Sequence, residues 1–468
     1  MRTWKKLFSG DRAFYVRVLT LALPIALQSL ITIGVNMLDT IMVGTLGEVE
    51  LSATSLANQF INIYHIFCMG LGMGASVMVS RYWGMRESEP EKAALALKKT
   101  ICIMVRLTLG LALLFAVITA AAPGAIMRTY TTEENIILLG TVYFQYSVIT
   151  YFFLGLSLVC TIVLRSVGQV KMPLYVSMGA FCVNIVANYA FIFGRLGMPQ
   201  MGIAGAALGT LIARVFEAGM ICGYLFFKDQ AIGFRVKHLG MRTGDLVGEY
   251  VRISIPVLVS DGILAIGNNT VAMVVGRLGV AFVAANAITS VTQQMSNVLT
   301  QGVAQAGAIV TGQTLGEGGR EKALKQGYAF LGLGFALGLF AALVITLISS
   351  PVIGAYHVSA ETANVAGQLM EAIGLIMIFQ SANSIMTKGV LRGGGDTKML
   401  MLADNIFLWV LSIPLGLLAG FVLHLPAFWI YICLKSDQIA KTVWCIFRLR
   451  SGKWIKKIST GKQSAAAA

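Results

Sequence analysis

The sequence predicts an all-α polytopic membrane protein of twelve transmembrane helices in two six-helix, pseudo-symmetric lobes. Three observations predict it. The first is composition: 57% of the 468 residues are hydrophobic and 12% are charged, about half the charge of an ordinary soluble domain. The second is segmentation. Roughly 20 apolar residues span a bilayer as a helix. Such stretches recur near 14–42, 52–80, 95–122, 135–158, 160–194, 202–227, 247–275, 281–311, 322–349, 362–388, 398–421 and 426–447.

The third is duplication. Pro24, Ile31, Asn36, Val43, Gly44 and Gly47 reappear 232 residues later as Pro256, Ile263, Asn268, Val275, Gly276 and Gly279. The motif starting Leu164-Arg165 and ending Lys171-Met172 returns as Leu391-Arg392 and Lys398-Met399, with Gly168 matched by Gly395. Glu91-Lys92-Ala93 returns as Glu321-Lys322-Ala323. Each half starts on the same side, so the repeats are parallel, related by an axis along the membrane normal. The expected organisation is an N-lobe at 1–227 after a short basic lead, a linker at 228–248, a C-lobe at 249–450 and a basic tail at 451–468.

The net charge of +15 follows this topology and gives no reason to invoke nucleic acid. Basic residues crowd the N-terminus (Arg2, Lys5, Lys6, Arg12), the even-numbered loops and the C-terminus (Lys453, Lys456, Lys457, Lys462). The odd-numbered loops hold Arg128, Arg195 and Arg277. By the positive-inside rule both termini are cytoplasmic. The first apolar stretch is too long for a cleavable signal peptide. Seven cysteines lie in or near apolar segments and read as small core residues without close pairing.

Segment one carries Pro24, which removes a backbone hydrogen bond and permits a bend, static or moving, and Asp39. An acid at that depth is costly unless it faces protein or water and has a task. Its repeat partner is Val271, so one copy alone has the acid. Segment two carries Asn58, Asn62 and His65; a lone histidine there reads as a satisfied helix residue. In segment five, Asn184 and Asn188 are four apart on one face. They are either interhelical hydrogen-bonding groups or, with Asp39, an oxygen-rich cation site. Segment six packs through Gly-Ile-Ala-Gly-Ala-Ala-Leu-Gly and supplies Thr210. Arg214 and Glu217, three apart, read as a structural pair.

In the second half, Asp261 and Asn268 lie in segment seven, and Gln294, Asn297, Gln301 and Gln305 form a polar stripe along segment eight. The stripe reads either as interhelical hydrogen-bonding groups or, the preferred reading, as a wet cavity wall, since so many amides are hard to satisfy dry. Gln28, Asn36, Asn58, Asp261, Asn268, Gln294, Asn297 and Gln301 are the candidate cavity residues. Asp437 can pair with Lys441. Gly312–Gly319 lacks the Gly-Lys-Ser/Thr ending of a phosphate-binding loop, so ATP-driven transport has no support. No cluster of nucleophile, base and metal ligands suggests an enzyme, and no repeated pore loop suggests a channel.

These residues resemble the multidrug and toxic compound extrusion (MATE) family over about residues 14–450. The resemblance rests on Pro24, Asp39 and the Val-Gly-x-Leu-Gly that follows, on Asn184-x-x-x-Asn188, on Gly-Ile-Ala-Gly-Ala-Ala-Leu-Gly-Thr and on the two Leu-Arg-x-x-Gly motifs. It implies a V-shaped bundle in the cytoplasmic (inner) membrane. It implies a monomeric antiporter exporting cationic or amphipathic organic compounds against inward Na⁺ or H⁺ by alternating access, with no cofactor. Carried over, Asp39 is the coupling carboxylate, supported by Asn184, Asn188 and Thr210, with possible Na⁺ at Asp39, Asn184 and Asn188 and a hinge at Pro24. Gln380–Asn383 has no acid where some members carry one. The alternative is a flippase for a lipid-linked saccharide or other amphipathic lipid. Few mid-segment arginines (Arg106, Arg214) speak against an anionic cargo.

Overall fold

A computed structural model describes residues 11–356 and 358–458. The basic lead through residue 10 and the tail from residue 459 lie outside the described residues. The described chain is helical, without a strand. Helices follow the expected segments: α1 Arg12–Gly44, α2 Glu48–Glu87, α3 Pro90–Ala121, α4 in two pieces (Glu134–Ser147, Thr150–Ser166), α5 Lys171–Phe193 and α6 Ile203–Lys228. The second half has α7 Gly244–Gly276, α8 Val280–Gly316, α9 Arg320–Ala355, α10 Ala360–Leu391, α11 Thr397–Val422 and α12 in two pieces (Ala427–Leu434, Ser436–Ser451). Among the described residues nine helices are long and apolar enough to cross a membrane, or ten with the bent pair of α4. Of the twelve expected spans, α8 and α12 do not meet that measure: α8 is rich in amides, and α12 is broken at Lys435.

The duplication is written into the helix lengths. Both α1 and α7 have 33 residues, and Glu48–Gly84 and Val280–Gly316 both have 37. Their boundaries match at the same offset of 232 residues. The repeated Leu-Arg-x-x-Gly motif also acquires a physical reason. Gly168 and Gly395 take φ of 89° and 87°, a backbone region that L side chains rarely adopt. The amide of each glycine bonds back to Arg165 or Arg392, and the next amide to Leu164 or Leu391. Each motif is thus a helix terminator.

This changes two expected boundaries. The break between segments four and five falls at 167–170, after the Leu-Arg motif, and not at 159. α4 bends by 58° between Ser147 and Thr150.

The chain divides into two compact units. One comprises residues 11–26, Ser80–Glu89 and Ile255–Ile458; the other comprises Leu27–Val79 and Pro90–Ser254. In the second unit, Val43 of α1 packs with Ala53, Ala57, Met127, Phe144 and Ile203. Small residues let these helices approach closely, which replaces the missing water-driven term in a bilayer. The clearest case joins α5 and α6. A Cβ at Gly205 would strike the Phe191 backbone, and one at Gly209 would strike Asn188. In the first unit, Val271, Ala285, Ile345, Ile373, Leu408 and Tyr431 share one core. The linker at 228–248 is anchored: Phe234 is buried, and Arg106 donates to the carbonyls of Leu239 and Met241.

Candidate functional site

The unit Leu27–Val79 plus Pro90–Ser254 contains a cavity of about 480 Å³ lined by α1, α2, α4, α5 and α6. Val43, one turn beyond Asp39, fixes the register of α1 in the core, which turns Asp39 toward α5. Asn188 Nδ2 donates to Asp39 Oδ1 at 2.6 Å and, more weakly, to Asn184 Oδ1 at 3.4 Å. Asn184 and Asn188 are both buried. Asn188 Oδ1 is buried with no hydrogen-bond partner. Buried polar atoms are nearly always paired, so this oxygen beside a carboxylate is left open to accept a hydrogen bond. The close approach of Gly209 holds this carboxamide in place.

Thr210, Asn36 and Asn58 line the same cavity. Tyr143 donates from its hydroxyl to Asn58 Oδ1 at 3.3 Å. Gln28 is expected in the cavity wall but lies off it. It is buried, donates from Nε2 to Ser177 Oγ at 2.6 Å and accepts from Arg165. The buried guanidinium of Arg165 captures the amide that the sequence leaves free.

The remaining candidates belong to the other unit and do not line this cavity. Asp261 pairs with Arg392 at 3.5 Å. Asn297 accepts from Gln380 Nε2 at 3.3 Å, Gln380 accepts from Gln293, and Gln293 accepts from Tyr431. That chain of amides satisfies Asn297 of the polar stripe internally. Asn268, Gln294 and Gln301 are exposed. The cavity of about 510 Å³ in this unit is lined mainly by apolar side chains of α8 and α9, among them Met295, Leu299 and Phe340. Asp437 and Lys441 do pair, at 3.1 Å. The cysteines are free, yet Cys160 and Cys222 bring their sulfurs to 3.7 Å, closer than their sequence positions suggest. Among the described residues no three His, Cys, Asp or Glu gather as a metal cluster.

Four cavity residues escape a reading by type alone: His65, Tyr143, Arg214 and Glu217. Helical spacing finds three of them. His65 continues the face of Asn58 and Asn62, and Arg214 and Glu217 continue that of Thr210. Arg106, by contrast, is spent on backbone carbonyls.

The MatE family model matches residues 24–190 and again 256–418, so each match opens on one of the paired prolines. The chain belongs to the MATE family of multi-pass membrane proteins; it is a transporter and not an enzyme. Over 447 residues it is 24% identical to a probable multidrug resistance protein, NorM, of Thermotoga maritima, covering 94% of this chain and 93% of that one. Its fold is similar to crystal structures of MATE in straight and bent conformations. The straight form has a TM-score of 0.83 at 18% identity, with 97% and 99% of the two chains covered. The bent form has a TM-score of 0.82 at 19% identity, with 97% and 98% covered.

Proposed function

We propose that this transporter exports cationic or amphipathic organic compounds across the cytoplasmic membrane as a monomer, driven by inward Na⁺ or H⁺ at Asp39. The orphaned Asn188 Oδ1 beside Asp39 carries the reading. A half-turn of the Asn188 carboxamide replaces its donor by an oxygen. Asp39, Asn184 Oδ1 and Asn188 Oδ1 are then an all-oxygen set of the kind that hard cations take. The same oxygens can accept the proton of a neutral Asp39. Either ion neutralises an acid whose charge is expensive inside a membrane protein.

That neutralisation favours a different packing of α1. Pro24 leaves the Thr20 carbonyl without its helical donor, which makes this the pliable point of the helix. The name of the Thermotoga relative supports drug-like cargo. The charge of the cytoplasmic loops supports both termini inside. A lipid-linked anionic cargo is disfavoured, because Arg214, the cavity's arginine, is already held by Glu217 at 2.7 Å.

The test is efflux of a fluorescent organic cation from proteoliposomes under separately imposed Na⁺ and pH gradients. Transport driven by one gradient in the wild type and lost in Asp39→Asn supports the reading and names the ion. Asp39→Asn that exports at the wild-type rate with unchanged ion dependence refutes it.

A further inference from the structure

The cavity holds a second carboxylate that the coupling of Asp39 does not use. Glu217 Oε2 accepts from Arg214 Nη1 at 2.7 Å and from Ser157 Oγ at 3.4 Å. The Glu217 side chain is 12% exposed and that of Arg214 is 30% exposed, so the arginine is the more accessible partner. The titratable groups lining the cavity are Asp39, Glu217, Arg214, His65 and Tyr143. Two acids and one arginine thus share the lining of this cavity.

Position makes that cation available to both acids. Gly209 of α6 packs on Asn188, the residue that donates to Asp39. Arg214 follows Thr210 by four residues on the cavity-lining face of α6, about 6 Å along the axis, so its long flexible side chain shares the cavity with Asp39.

We propose that Glu217 is the docking carboxylate for the cationic group of the cargo, and that Arg214 is an internal cation shared between Glu217 and Asp39. This rests on the reading of Asp39 as the ion-coupled acid. A cargo cation that pairs with Glu217 displaces Arg214. The freed guanidinium moves onto Asp39 and expels the coupling ion. An ion arriving at Asp39 drives Arg214 back to Glu217, which expels the cargo. The exclusion that antiport needs then arises without the two ligands sharing a carboxylate.

The experiment uses the purified full chain and tetraphenylphosphonium as the organic-cation probe. Its binding is titrated against Na⁺ at fixed pH, and against pH without Na⁺. In the wild type the coupling ion and the probe weaken each other by the same factor, as linkage requires. Arg214→Gln still binds both, but the mutual weakening falls toward none; Arg214→Lys retains it. Glu217→Gln weakens the probe by about tenfold and leaves ion affinity in place. Mutual weakening that persists unchanged in Arg214→Gln overturns the proposal, as does unchanged probe binding in Glu217→Gln. If Asp39→Asn keeps ion-dependent probe binding, the reading of Asp39 fails instead. A wild type without mutual weakening overturns both.

Discussion

Arg214 and Lys441 stand 227 residues apart, at matching places in the last helix of each repeat, and are held in opposite ways. Pro199 and Pro426, Ile203 and Ile430, and Ala213 and Ala440 keep the register around them. Lys441 is 4% exposed and sits between Asp437 at 3.1 Å and Asp404 at 3.3 Å. Those acids are themselves held by Ser412 and Ser260. Arg214 has one acid and an open side. The same offset places Leu411 and Leu415 opposite Asn184 and Asn188, and Val271 is the counterpart of Asp39. One repeat has turned its polar positions into a fixed core. The other has kept a polar cavity in which a cation has room to move.

The largest effect expected from this contrast is on stability. Lys441→Met leaves two buried carboxylates unpaired and should cost about 3–5 kcal/mol. The matching change, Arg214→Met, breaks a partly exposed pair and should cost about 1 kcal/mol or less. Thermal unfolding of the two purified variants reads the difference directly. Equal losses would break the contrast.

Next in size is an attempt to restore the missing acid. Val271 is 7% exposed among Ala285, Ile345 and Ile373. Val271→Asp buries a carboxyl group with no partner prepared for it, which stays neutral there at a cost of about 1–3 kcal/mol. We expect a lowered unfolding midpoint and no second ion dependence of efflux. An added ion site in this variant would mean that the second repeat retains a latent copy of the first.

Gly209→Ala is a finer probe of the Asp39 site. The new Cβ would press on the Asn188 carboxamide, whereas Gly205→Ala, one turn earlier, would press on the Phe191 backbone. Gly209→Ala should raise the ion concentration for half-maximal efflux about tenfold, equivalent to about 1.4 kcal/mol. Gly205→Ala should lower stability and leave ion affinity unchanged. Similar ion affinities in the two variants would remove Asn188 from the site.

Much of this was legible in residues. The offset of 232 foretells helices of equal length because a duplicated helix ends at the same glycine, Gly44 or Gly276. The meeting of Asp39 with Asn184 and Asn188 was legible because an acid and two amides four residues apart on one face of a membrane helix need polar partners. The polar stripe of α8 misled, because sequence does not reveal that Gln293, Gln380 and Asn297 can satisfy one another across two helices. Gln28 misled for the same reason, its captor Arg165 being 137 residues away. Arg214 and Glu217 were visible as a pair, but only the fold places that pair in the same cavity as Asp39.

The smallest effect concerns the turns that end the Leu-Arg motifs. Gly168 and Gly395 share nearly the same φ and the same pair of backbone hydrogen bonds. An alanine in this left-handed region is disfavoured by about 1–2 kcal/mol, so Gly168→Ala and Gly395→Ala should each lower stability by that amount. A Cβ at Gly395 would meet Lys456 Cβ at 3.4 Å, an ordinary contact that adds little. The two losses should therefore agree within about 0.5 kcal/mol when unfolding is followed in the same detergent. The turns serve different surroundings: beyond Gly395, Asp396 takes the side chain of Arg448 at 2.6 Å, while beyond Gly168, Gln169 donates to Asp229 at 2.7 Å. Agreement would mean that backbone conformation alone keeps glycine at both positions, even where the repeats have diverged around them. A loss at Gly395 well above that at Gly168 would mean that the ion pair of Asp396 depends on the turn, and that the second repeat has tied its rigidity to the motif itself.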